Sequence, residues 1–113
     1  MRIDYLLELL DASGELAFEW DSEKAASNLR KHGISFEEAV TIFQDDTLTI
    51  EDGASYDEMR EISFGRLEGG LGSTVVVCVV HTDREDRIRI ISARKATAQE
   101  RKHFDVYYRK THH

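Results

Sequence analysis

Proline is missing from this chain altogether, and cysteine occurs once. The first absence means that no helix or strand is interrupted by a fixed ring. The second rules out an internal disulfide, and with it any cysteine-based metal cluster. Cys78 lies inside the valine run "TVVVCVVHT" and reads as a small buried hydrophobe. Long apolar runs are lacking too. The leucines of "MRIDYLLELLDASG" are broken by Asp4, Glu8 and Asp11, and no small-residue cleavage site follows. That segment is therefore expected to be neither a signal peptide nor a membrane span, and the protein is expected to be cytoplasmic.

Positive charge is outweighed, with 15 Lys/Arg against 22 Asp/Glu and a net charge of −7. Taken whole, that balance argues against a nucleic-acid ligand. Its distribution says more. Residues 1–70 hold 6 Lys/Arg against 17 Asp/Glu, whereas residues 71–113 hold 9 against 5. The last third can offer phosphates a cationic surface that the first two-thirds would repel. The acidic part would equally suit a cationic partner.

At 113 residues the chain is expected to form one domain over 1–113. Ile3, Leu6, Leu7 and Leu10 fall at i, i+3, i+4 and i+7, which predicts a short amphipathic helix before Gly14. Alone such a helix is marginal, so it must dock on the domain, on a second copy in a homodimer, or on a partner. "LAFEW" reads as a short strand with Trp20 in the core. Asp21 can cap a helix over "SEKAASNLRKH", with Ala25, Ala26 and Leu29 as its apolar stripe and Gly33 as its stop. Ser35 and Glu38 make a capping box for a second helix with Phe36, Ala39, Val40 and Phe43 on one side.

From Thr47 the apolar period changes to two, through "TLTIE", "REISFGR", "TVVVCVVHT" and "RIRIISAR". Thr97 and Glu100 then form another capping box, opening a helix that carries Phe104, Tyr107 and Tyr108. Short turns join at least the last three strands, so these are expected to pair antiparallel. The fold class is α+β: a small antiparallel sheet, a helical hairpin before it and a C-terminal helix.

Several of these segments together resemble the BrnT family, the toxin halves of bacterial type II toxin–antitoxin pairs. They are "FEWDSEKAASNLRKHGISFEEAVTIF" at 18–43, the Gly-flanked central strand, and "IRIISARKATAQERKHF" at 88–104. The resemblance covers residues 18–108 and leaves 1–17 as an N-terminal helical extension. It implies a RelE-like ribonuclease fold and metal-independent endoribonuclease activity, with no cofactor. It also implies growth inhibition by RNA cleavage, and neutralisation by a cognate ribbon-helix-helix antitoxin through which alone the complex meets operator DNA. A contrasting reading is a non-catalytic RNA- or protein-binding module on the same fold. A metal-dependent hydrolase is disfavoured, because His32, His81 and His103 show no ligand spacing.

Metal-free RNA cleavage needs a base for the 2′-hydroxyl, cations for the developing phosphate charge and a proton for the leaving 5′-oxygen. Arginine suits the second role and histidine the others. Arg94, in the family's "SARKA" element, is the first choice for phosphate contact; the alternative is a salt bridge to a nearby carboxylate. Lys95 is a candidate RNA contact, although strict alternation sends it to the other face unless the strand ends or bulges there. By the same alternation Arg89 shares the side of Ile91 and Ala93, while Ile88 and Ile90 share that of Arg94. Arg87 and Arg89 would then line an open face as an RNA track, or pair with acids across strands. Arg60 and Arg66 bracket a strand from which one of them could meet Arg94. His32, in the "KHG" element, is either an acid/base group or a helix-end cap. His81 is either an acid/base group or a satisfied histidine at the core's edge. Tyr107 is a candidate to stack on a base, with one of Tyr107 and Tyr108 inward and the other outward. His103 is expected at the surface.

Overall fold

The computed structural model of the protein describes residues 5–11, 14–52, 60–69, 72–84 and 87–112, with the backbone alone at 5–11, 14, 15 and 84. Along the chain run β1 (Tyr5–Asp11), β2 (Gly14–Trp20), α1 (Ser22–His32), α2 (Phe36–Ala39), a 3₁₀ turn (Val40–Gln44), β3 (Leu48–Asp52), β4 (Arg60–Glu68), β5 (Thr74–Arg84), β6 (Arg87–Lys95) and α3 (Ala98–Thr111). The strands form one six-stranded sheet in the order β1-β2-β6-β5-β4-β3. Every neighbouring pair is antiparallel except β2 and β6, which run parallel where Ala17–Glu19 meets Arg87–Arg89. The class is α+β, as the order of sequence patterns indicates.

The N-terminal segment departs from expectation. Its leucines fit a helical stripe, yet Tyr5–Asp11 is a strand paired along β2 from Tyr5↔Trp20 to Asp11↔Gly14. A lone two-turn helix gains little in water, whereas the open edge of β2 offers a partner to every backbone group on one side of the segment. Tertiary pairing overrides the local period.

The local signals for the other helices hold. Asp21 caps α1 by accepting from the Glu23 and Lys24 N–H groups, and Gly33 ends it in the left-handed region at φ 73°. Both Ser35/Glu38 and Thr97/Glu100 form reciprocal capping boxes. The helix begun at Phe36 tightens after one turn into the 3₁₀ segment, which keeps Val40 and Ile42 buried. Its close approach to the sheet depends on Gly65, where an added Cβ would stand 2.6 Å from Ile42 Cβ.

Helices cover both faces of the sheet. On the hairpin face Phe36, Ala39, Val40 and Ile42 pack on Phe18, Trp20, Val77, Val79, Ile90 and Ala93. On the α3 face Phe104, Tyr107 and Tyr108 pack on Phe64, Val76, Cys78, Leu48 and Ile62. Burial of each large side chain contributes roughly 1.5–3 kcal/mol, and Phe18, Phe36 and Phe104 are shielded almost completely. Cys78 is buried, as its valine setting indicates.

One irregularity decides which way the arginines point. In β6, Ser92 pairs with Val80 and Ile90 pairs with His81, so Ile91 is an extra residue, a bulge. Ile88 and Ile90 therefore pack on the hairpin face with Ala93, and Arg89 turns to the α3 face with Arg94. That is the reverse of the unbroken alternation read from the sequence.

Candidate functional site

The α3 face gathers cations along one helix. β6 delivers Arg94 to the point where the chain turns into α3, and Glu100 in the first turn of that helix meets it. Arg94 Nη1 donates to Glu100 Oε1 at 2.8 Å and Nη2 donates to Oε2 at 3.0 Å. The same Oε1 accepts from the Thr97 N–H at 2.8 Å, so one carboxylate both caps the helix and fixes the guanidinium. The Arg94 guanidinium holds the Glu100 carboxyl down to about 2, aided by the Thr97 N–H. In return Glu100 holds the Arg94 guanidinium above its ordinary range. Arg94 keeps 39% of its side chain exposed, so it is committed to Glu100 and still open to solvent.

Farther along α3, Arg66 reaches across from β4. Its Nη1 donates to the Tyr108 hydroxyl at 2.9 Å, and its guanidinium carbon lies 4.7 Å from that ring's centre. Tyr108 in turn donates to Asp45 Oδ2 at 3.1 Å. Beside them opens a cleft of about 400 Å³ whose walls carry Arg66, Arg101, Lys102 and Arg109 against a single carboxylate, Asp105. Arg101 and Asp105 stand 3.7 Å apart. The cleft has a surplus of positive charge and suits an anionic ligand.

Arg66 and Arg94 share this face without touching one another. Arg94 is in register with Cys78, whereas Arg66 is in register with Val76. Their helix partners, Glu100 and Tyr108, are about 12 Å apart along the axis. An arginine at each end of α3 frames a track instead of a single convergent point. Between Glu100 and the sheet edge lies a second groove of about 320 Å³, lined by Leu48, Ile50, Phe64, Glu100 and His103. His103 is exposed, as expected, yet it borders the same groove as the partner of Arg94.

The other sequence candidates are dispersed. Lys95 faces the hairpin side, in a small cleft with Gly33, Ile34 and Glu38. His32 is exposed in the last turn of α1. Arg60 opens β4 in register with Asp52 and is half-buried. Arg89 is 4% exposed, so it does not line an open track, and the bulge at Ile91 is what turns it inward on the α3 face. Tyr107 and Tyr108 do not split inward and outward: both are half-buried on the Phe64 cluster, and Tyr107 donates to the Thr47 carbonyl at 3.0 Å.

His81 sits on the hairpin face, 3% exposed, away from Arg94. Its Nε2 is 2.8 Å from Ser63 Oγ, which is 2.7 Å from Thr49 Oγ1, and its Nδ1 is 3.2 Å from Asp83 Oδ1. Burial pushes its pKa below the ordinary histidine value. Ser63, His81 and Asp83 stand in the order of a nucleophile relay, but Ser63 is fully buried and serves the ring, not a substrate. Glu61, the cross-strand partner of His81, has its carboxyl raised by burial and by the neighbouring Asp83.

Sequence reasoning missed Asn28. The apolar stripe expected of Ala25, Ala26 and Leu29 is not what α1 buries: Asn28 is its buried residue, Ala25 is half-buried, and Ala26 and Leu29 are exposed. Asn28 Nδ2 donates to the Ala93 carbonyl at 2.8 Å and to the Ile34 carbonyl at 3.1 Å, and Oδ1 accepts from the Ala93 N–H at 3.1 Å. It completes the β6 edge beyond the short β2 pairing, just before Arg94. Only its place within the "KAASNLRKHG" element could have drawn notice.

Residues 20–100 match the family model described as the ribonuclease toxin, BrnT, of type II toxin–antitoxin systems. No curated protein matches the chain. No helix among the described residues is long and apolar enough to cross a membrane.

Proposed function

We propose, on the premise that this chain belongs to the BrnT family of ribonuclease toxins of type II toxin–antitoxin systems, that it cleaves RNA without a metal ion along the α3 face. Membership brings an antitoxin partner. The finer reading is a ribbon-helix-helix antitoxin, growth arrest in the cytoplasm when that antitoxin is absent, and contact with operator DNA only through it.

The observation that carries this reading is the half-open Arg94, gripped at both ends by Glu100 at the head of a cationic helix. A phosphate entering here meets the solvent-exposed side of a guanidinium that Glu100 keeps in place. The guanidinium fork matches two phosphate oxygens and stays charged at any working pH. Arg66 and the cleft beside it would hold the neighbouring phosphates of the same strand. The groove next to Glu100 is largely apolar and of a size to receive a base. In this scheme the 2′-oxygen attacks the adjacent phosphorus in line and the 5′-oxygen leaves, with the charge of the crowded phosphate borne by Arg94. Glu100, titrating about 2, is too weak a base for the hydroxyl and acts by positioning Arg94. His103, on the rim of that groove, is the proposed acceptor of the 2′-hydroxyl proton, and water supplies the proton taken up by the leaving 5′-oxygen. His81 is buried on the other face and takes no part, and His32 and Lys95 also lie outside the track.

The competing reading, a binding module without catalysis, draws on the same ion pair, because Arg94 is already satisfied by Glu100. One experiment separates them: incubation of the purified protein with RNA in EDTA. Cleavage supports the nuclease, and retention of intact RNA supports the module.

A further inference from the structure

We propose that Glu61, His81 and Asp83 bind a divalent transition-metal ion of the zinc type, on the sheet face opposite Arg94. Neither the family match nor the RNA reading calls for such a site.

Two strands bring the three residues together. His81 and Asp83 are two apart on β5 and so share a face, and Glu61 is the direct partner of His81 on β4. One ligand atom from each lies within 4.8 Å of the other two. A tetrahedral ion with bonds of about 2.0 Å spaces its ligand atoms about 3.3 Å apart. His81 Nδ1 and Asp83 Oδ1 already stand at 3.2 Å. Glu61, half-buried, has to close what remains of the 4.8 Å by rotation of its side chain.

The histidine is set up for this role. Its ring is held edge-on against Phe43, with centroids 5.3 Å apart, and its far nitrogen is tethered to Ser63. A metal on Nδ1 requires the proton on Nε2. Ser63 and Thr49 can supply an acceptor there, because each hydroxyl both donates and accepts, and the chain Nε2–Ser63–Thr49 reverses without any atom moving. An outer hydrogen bond of this kind fixes ring orientation and tautomer in metal-binding histidines. One imidazole and two carboxylates suit zinc or manganese, and they would neutralise two facing carboxylates that otherwise repel. Asp83 is 57% exposed, which leaves a route for the ion from solvent.

The test is calorimetric titration of the chelator-treated full chain with ZnCl₂, repeated with Co²⁺ for its absorption bands. One ion per chain is expected, with a rise in Tm. Glu61→Gln and Asp83→Asn, both at partly open positions, should each weaken binding by about tenfold or more. A His112→Ala variant removes the competing group at Asp45, Asp46 and His112 and should bind as the parent does. The proposal is overturned if the parent binds no ion, if Glu61→Gln and Asp83→Asn bind as tightly as the parent, or if His112→Ala abolishes binding. RNA cleavage is read separately in EDTA, so neither result depends on the other.

Discussion

Arg94 and Glu100 lock β6 to α3 through two parallel hydrogen bonds, 2.8 and 3.0 Å long, across a gap of six residues. Glu100 is thus helix cap, ion-pair partner and guide for the proposed phosphate contact. Substitution Glu100→Gln should cost roughly 1–2 kcal/mol once screening at the half-open arginine is allowed for. The pH dependence has a definite sign. The folded-state value of about 2 lies below the ordinary 4.5, so the charge-linked stabilisation is complete above pH 4.5 and fades as pH falls toward 2. Acid unfolding curves of the parent and Glu100→Gln should converge over that window. Parallel curves would show that the pair adds nothing.

Asn28 should matter more to stability than Leu29, which the sequence pattern places on the buried stripe of α1. Asn28→Ala removes three hydrogen bonds and leaves the Ala93 N–H and carbonyl at a buried edge, at a cost of about 2–4 kcal/mol. Leu29→Ala, at a side chain 48% exposed, should change stability by less than about 0.5 kcal/mol. Urea unfolding measures both, and the order of the two effects is the reverse of what hydrophobicity alone would give.

His81 gives the metal-free protein a second acid-sensitive step. Burial lowers its pKa below the ordinary 6.5 despite Asp83 beside it, so the unfolded chain takes up the proton first. Stability present above pH 6.5 is expected to fall as pH drops below it, and His81→Gln should flatten that part of the profile. The flanking groups are Asp83, Glu61 and the Ser63 hydroxyl. Nuclear magnetic resonance of the imidazole in chelator-treated protein would show directly whether it titrates below the usual range.

What could be read from the sequence was what neighbours along the chain decide. The caps at Asp21, Ser35 and Thr97, the stop at Gly33 and the burial of Trp20 and Cys78 all follow from residues within one turn or one strand. Errors arose wherever a distant partner intervened. Tyr5–Asp11 became a strand because β2 offered an edge. The bulge at Ile91, visible only against β5, reversed the side on which Arg89 lies. Asn28 finds two of its bonds 65 residues away, and Glu61 meets His81 only after β4 and β5 pair. For the candidate site, the "SARKA" element marked Arg94, but the separation of His32, His81 and Lys95 from it needed the two faces of the sheet.

The most direct test of the nuclease account is the rate of RNA cleavage in EDTA by the parent, Arg94→Ala and Lys95→Ala, each first shown to be folded by its thermal transition. The account expects metal-free cleavage by the parent, a loss of about a hundredfold or more in Arg94→Ala, and near-parental activity in Lys95→Ala on the opposite face. Undiminished cleavage by Arg94→Ala, or none by the parent without metal, would contradict it.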